Sequence, residues 1–272
     1  MLKGTRQRDI KSWSEHGVTQ KADHLAVEQA LQIVLAYPHT NKVINKDLVI
    51  TMRTPGDDDV LSVGYLFAEG IIETKGDVSS IEQIDEDRVK VSLTHTLKKS
   101  WLEISRSDIS TGACGMCGKT NMEGIYLPDN KVSPERSLVF SPNTILSLSE
   151  KISKNQKLFE ETGGIHASAF FNTVGQLISL YEDIGRHNSL DKLIGDRILK
   201  ADGKMQEYLL FISGRAGFEL IQKAIVARIQ IIVSVGAPSS LAVKYADEYG
   251  ITLVGFLKNK SFNIYTHPKR IG

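Results

Sequence analysis

The chain reads as an α/β protein: a mixed, largely parallel sheet with flanking helices, joined to a smaller N-terminal β-rich subdomain. Three observations predict this. In the second half, four short apolar runs at 177–181, 208–212, 230–234 and 251–256 alternate with helical stretches near 187–201, 216–229 and 238–249. Such alternation implies a largely parallel sheet covered on both faces. In the first half, the signals are those of half-buried strands with a single helix between them. Finally, each apolar run of the second half is followed by polar residues, with glycine after the first three, as expected at strand ends that carry a site.

In chain order, the first twenty or so residues are polar and read as a frayed tail. Residues 31–37 and 48–52 are β-rich runs separated by polar residues and Pro38. Residues 56–72 form a short helix entered through Thr54-Pro55-Gly56-Asp57-Asp58, with acids in its first turn and Gly70 at its end. Residues 89–94 and 101–105 alternate as strands do, and a cysteine loop closes this first region, taken as 1–140. Ser141-Pro142 is an N-cap followed by proline at the first helical position, so a helix is expected to run towards Phe159. The α/β domain is taken as 141–272.

The 272 residues carry a formal net charge of +1 and 41% hydrophobic residues, enough for a substantial core. That charge gives no case for binding bulk nucleic acid or an acidic membrane. Neither a secretory leader nor an apolar run approaching about 18 residues is present, so the expectation is a soluble cytoplasmic protein.

The only two cysteines are Cys114 and Cys117, in Thr111-Gly112-Ala113-Cys114-Gly115-Met116-Cys117-Gly118-Lys119. Three glycines make this stretch a poor helix or strand, so a mobile loop is expected. Lys119 nearby favours the nucleophilic thiolate. Structural zinc needs four ligands, and this chain has no third cysteine and no suitably spaced histidine pair, which leaves only a site shared across a dimer. A thioredoxin-type pair would start a helix, which the glycines oppose. A zinc-deaminase signature fails because Ala113 stands where proline is needed and no H-x-E precedes the cysteines. A reactive thiol pair is the first hypothesis.

The strand-end residues suggest a phosphorylated or nucleotide-bearing ligand. They are Asp183-Ile184-Gly185-Arg186-His187-Asn188, Ser213-Gly214-Arg215, Gly236-Ala237-Pro238-Ser239-Ser240 and Lys258-Asn259-Lys260. Glycines let backbone amides approach, and Arg and Lys supply charge. Thr162-Gly163-Gly164-Ile165-His166 adds a further turn. Any one of these turns also has a purely local explanation, and Asp183 pairing with Arg186 would merely fix its loop. Neither a P-loop nor a G-x-G-x-x-G is present, which excludes ordinary ATPase and dinucleotide motifs.

Taken together, these words resemble the formate dehydrogenase accessory sulfurtransferase family, FdhD, from about Arg53 to Ile271. The resemblance is carried by Arg53-Thr54-Pro55-Gly56-Asp57-Asp58, Gly64-Tyr65-Leu66-Phe67-Ala68-Glu69-Gly70, the cysteine loop, Thr162 to Ala167, Glu182 to Asn188, Ser213-Gly214-Arg215, Ala237 to Val243 and Asn263-Ile264-Tyr265-Thr266. It implies a cytidine deaminase-like α/β core without deaminase activity, and a homodimer. The implied function is a sulfurtransferase that takes persulfide sulfur from a cysteine desulfurase to the molybdenum bis(molybdopterin guanine dinucleotide) cofactor of formate dehydrogenase. That cofactor would be held as cargo, with no catalytic metal of the protein's own. The persulfide cysteine maps onto Cys114, with Cys117 as its partner. Cofactor contacts map onto Phe256, Leu257, Lys258, Asn259, Lys260 and Ser261, and the residue-level reading adds Gly163, Gly164, His166, Arg186, His187, Ser213, Gly214 and Arg215. Two departures are Gly217, where serine is expected, and Lys258, where arginine is usual. The alternatives are a thiol-disulfide oxidoreductase and a non-catalytic cofactor chaperone.

Overall fold

The computed structural model of the chain describes residues 4–97, 126–128, 131 and 138–272. The expected strand at 101–105 and the cysteine loop at 111–119 lie outside the described residues.

The N-terminal tail is not frayed. β1 (Thr5–Ser14) and β2 (Gly17–Ala26) form an antiparallel hairpin with an unbroken register from Thr5↔Ala26 to Ser14↔Gly17. Its residues are polar on both faces, so no apolar alternation betrays it, and the backbone ladder carries the pairing instead. Gly17, at φ 111°, leaves the tight turn in a conformation that other residues rarely adopt.

β3 (Gln29–His39), β4 (Lys42–Arg53), β5 (Val78–Asp85) and β6 (Arg88–Leu93) make a four-stranded sheet in the order β4-β3-β6-β5. Pro38 lies inside β3 rather than between strands. It faces Val43, while β6 pairs β3 only as far as Ala36, so no ladder partner needs the missing N–H. α1 (Asp58–Ala68) forms within the expected span, and Gly70 at φ 69° ends it. Asp58 is not a free first-turn acid: it is buried and accepts two hydrogen bonds of 2.9 Å from the fully buried Arg53.

The expected helix from 141 to 159 divides into α2 (Pro142–Ser153) and α3 (Lys157–Thr162). Ser141 caps α2 by accepting from the Thr144 amide at 3.1 Å. The break follows from competing bonds. Asn155 donates its side-chain amide to the Lys151 carbonyl, and the Glu182 carboxylate accepts from the Leu158 and Phe159 amides at 3.0 and 2.9 Å, starting a new helix.

The larger sheet has the order β12-β11-β10-β9-β7-β8. Its strands are β7 (His166–Phe171), β8 (Leu177–Asp183), β9 (Leu209–Ile212), β10 (Ile231–Ser234), β11 (Thr252–Lys258) and β12 (Ser261–Ile264). Between them run α4 (Arg186–Leu199), α5 (Phe218–Val226) and α6 (Ser240–Glu248). The α/β class and the mixed sheet stand, but within this sheet parallel pairing is confined to β9-β10-β11. β7–β8 and β11–β12 are joined by short turns, which permit only antiparallel neighbours.

Strand alternation divides the core in two. Leu210, Ile212, Ile232 and Leu253 face α1, α4, α5 and α6, and this side also takes Leu35, Tyr37 and Val91 from the smaller sheet. Leu209, Phe211, Ile231, Val233 and Val254 face α2 and Phe140. The two sheets meet through α1 and α4, whose backbones nearly touch: a Cβ at Gly64 would lie 1.9 Å from the Asp191 carbonyl, and one at Gly195 1.9 Å from that of Val60. Among the described residues, no helix is long and apolar enough to cross a membrane.

Candidate functional site

β8 runs antiparallel to β7, and β7 antiparallel to β9, so β8, β9, β10 and β11 all end at one rim of the sheet. α4, α5 and α6 begin there, each placing the positive end of its dipole at the rim, with Ser239 capping α6 by accepting from the Ala242 amide. Ligands of open α/β sheets bind at such carboxyl edges.

Backbone bonds weave the expected loops together. Ser213 donates its amide to the Ala167 carbonyl and accepts the Ala167 amide on Oγ at 2.8 Å. Gly236 donates to the Gly214 carbonyl at 3.0 Å, Phe256 donates to the Gly236 carbonyl at 3.2 Å, and the Ser234 hydroxyl donates to Gly214 at 2.7 Å. The close packing explains the glycines. A Cβ at Gly214 would lie 3.1 Å from His166 Nδ1 and 3.9 Å from Arg186 Cδ, and one at Gly236 would meet the Arg215 backbone at 2.9 Å.

His166, Arg186, His187, Ser213, Gly214 and Arg215 therefore form one cluster. Burial pushes the His166 imidazole below its ordinary value, with Arg186 and His187 adding to the effect. Arg186 Nε is buried without a hydrogen-bond partner among the described residues, an orphan donor of the kind a ligand satisfies. Arg215 is exposed. Gly163, at φ 64°, closes α3 beside open space, and Gly164 leads into β7.

The remaining candidates extend the rim three strand spacings along, on the order of 14 Å from β7 to β11. Lys258, Asn259, Lys260 and Ser261 form the exposed turn between β11 and β12. Phe256 sits at a register shift in β11 with φ 53° and is 41% exposed. Leu257 is different: it is 2% exposed and its side chain packs in the core, away from any ligand at the rim.

The rim rests on buried polar groups that the loops alone do not reveal. Asp183 does not pair with Arg186 on a surface. It is fully buried and contacts Lys192 Nζ at 2.8 Å, the Thr54 amide at 3.1 Å and the Gly185 amide at 2.8 Å. Asn188 donates to Asp183 and to the Met52 carbonyl, and Thr54 Oγ1 accepts from the Ile184 amide. The Arg53 to Asp58 word and the Glu182 to Asn188 word are thus two sides of one knot. Their role is to hold the start of α4.

Cys114 and Cys117 lie outside the described residues. Glu219 and Lys192 were missed from the sequence. The signal available for Glu219 was its spacing, since Glu219 and Lys223 on one helix mirror His187 and Asp191 on another at i, i+4.

Comparison with known proteins fits this arrangement. The chain is 42% identical over 251 residues to the sulfur carrier protein FdhD of Sulfolobus acidocaldarius, covering 92% of this chain and 91% of that one. It is 41% identical over 249 residues to the protein of that name from Picrophilus torridus, covering 92% of each. It is 35% identical over 280 residues to the one from Streptomyces coelicolor, covering 98% and 95%. The crystal structure of a protein from Desulfotalea psychrophila, described as a candidate formate dehydrogenase accessory protein, superposes with a TM-score of 0.71 over 98% of this chain and 99% of that one, at 23% identity, and shows the fold. The FdhD/NarQ family model matches residues 26–272. The chain belongs to the FdhD/NarQ family.

Proposed function

We propose that this protein is a sulfur carrier that serves formate dehydrogenase, with Cys114 as the carrying residue. The Cys114 thiolate attacks the terminal sulfur of a cysteine persulfide on a desulfurase. The S–S bond of the donor breaks, the donor cysteine leaves as a thiolate, and Cys114 becomes a persulfide. The acceptor is the molybdenum of a bound guanine dinucleotide cofactor, a metal that takes soft sulfur ligands. There the Cys117 thiolate attacks Cys114 Sγ, the bond to the terminal sulfur breaks, and that sulfur leaves at the sulfide level for the metal. The Cys114–Cys117 disulfide left behind is reduced by a cellular thiol. The cofactor is cargo. Lys119 favours the thiolate on which the first step depends.

The observation that carries this reading is that the chain's only two cysteines form a C-x-x-C word within a match that covers over nine-tenths of relatives named as sulfur carriers. The rim suits the cargo in its own right. The orphan Arg186 Nε, the exposed Arg215 and the turn bearing Lys258 and Lys260 are donors for phosphates, and Phe256 offers a partly exposed ring against which a base stacks. Lys258 supplies charge without arginine's bidentate fork, so the grip there is less directional. A dimer, a cytoplasmic setting and encounters with a desulfurase complete the proposal.

Formate dehydrogenase activity in cells whose only copy carries Cys114→Ala tests this. The enzyme should be made with molybdenum and show little activity, whereas near-normal activity rejects the carrier role.

A further inference from the structure

Beneath the rim, α4 and α5 are joined by two polar contacts one helical turn apart. His187, in the first turn of α4, donates from Nε2 to Glu219 Oε2 at 2.5 Å, and the two side chains are 6% and 18% exposed. One turn further on, Lys223 donates to Asp191 at 2.6 Å, with side chains 8% and 3% exposed. The order is reversed between the two contacts: base then acid on α4, acid then base on α5. Tyr65 of α1 and Glu69, which caps its C-terminus, face the deeper pair, with the Lys223 ammonium 5.7 Å from the Tyr65 ring centre.

Only the upper pair lies at the rim. Glu219 belongs to the first turn of α5, directly after the Ser213–Gly217 loop, and the hydrogen bond from His187 holds its carboxyl below the ordinary range. His187 follows Arg186, whose side chain passes within 4 Å of where a Gly214 Cβ would stand, and Arg215 is the next residue after Gly214. The His187–Glu219 contact thus ties together the two loops from which the arginines emerge. Neither arginine forms an ion pair with an acid within 4 Å among the described residues, and the Arg186 charge also acts on the Glu219 carboxylate from further off.

We propose that Glu219 is a positioning residue of the rim: through His187 it fixes Arg186 and Arg215 on either side of Gly214 as a two-arginine grip for ligand phosphates. The inference rests on the nucleotide reading above. Glu219 itself need not touch the ligand, because its carboxylate is occupied by His187. What it sets is the spacing and direction of two forks, which decide whether both engage the same phosphate group.

Calorimetry with GDP and with guanosine, on the full chain and on Glu219→Gln, His187→Gln and the double variant, tests the proposal, with melting temperature read on each. GDP affinity should fall about tenfold in Glu219→Gln, the size of one lost charge-assisted contact. The fall should be similar in His187→Gln and no larger in the double variant, because both act through one link. In Glu219→Gln, guanosine affinity should not change. GDP affinity within twofold of wild type in Glu219→Gln, with only the melting temperature lowered, would show the contact to be structural and overturn the proposal, as would additive losses or equal losses for guanosine. If the unaltered chain binds GDP no better than guanosine, the nucleotide reading falls and takes this inference with it.

Discussion

The N-terminal hairpin and the rim of the large sheet are built on opposite terms. The hairpin is regular, with ten paired residues on each strand, yet almost nothing converges on it: Trp13 and Val18 face each other across the strands at 78% and 61% exposure, and only its base meets α3. The rim is irregular, with a register shift and a non-glycine residue at positive φ, but four strand ends and three helix starts meet there over buried acids and bases. The family model begins at residue 26, just where β2 ends. Regular hydrogen bonding is sufficient to make an element, whereas a site needs side chains held against their own preference by the layer below.

If that contrast is right, the largest losses come from the layer beneath the rim. Lys192→Met leaves Asp183 buried without its cation and should cost roughly 3–5 kcal/mol, measured by denaturant unfolding. A cost near zero would mean that the knot is incidental. Gly64→Ala drives a methyl into the Asp191 carbonyl and should cost about 1–3 kcal/mol, or more if α1 and α4 cannot separate.

A smaller effect separates the rim by pH. The folded-state value of His166 is depressed, so its stabilising share is complete above the unfolded value, roughly 6.5, and is lost as pH falls. Melting temperature should therefore decline from pH 7 to pH 5, and His166→Gln should decline less. An identical decline in the two proteins would remove His166 from the account. The smallest effect belongs to the hairpin: Trp13→Ser should change stability by less than about 0.5 kcal/mol and leave GDP binding unaltered. A clear loss of GDP binding would break the comparison.

How far the sequence foretold these regions follows the same division. The strands at 31–37, 208–212 and 230–234 were legible because their apolar runs are buried on one or both faces. β1 and β2 were not, since polar residues occupy both sides. The break before α3 was hidden because its cause, Glu182, arrives from β8. At the rim, the turn words revealed which residues gather, and their order along alternating strands revealed where. Which buried acid meets which base was not legible: Asp183 sits three residues from Arg186 but bonds to Lys192, a choice made by the packing of α4 against Thr54.

The central claim concerns the thiols. Intact mass of the full chain, taken after incubation with a cysteine desulfurase and cysteine under non-reducing conditions, tests it most directly. The account predicts a gain of one sulfur atom, lost on reduction and absent in Cys114→Ala. A mass unchanged, or lowered only by the two hydrogens of a Cys114–Cys117 disulfide, would contradict it.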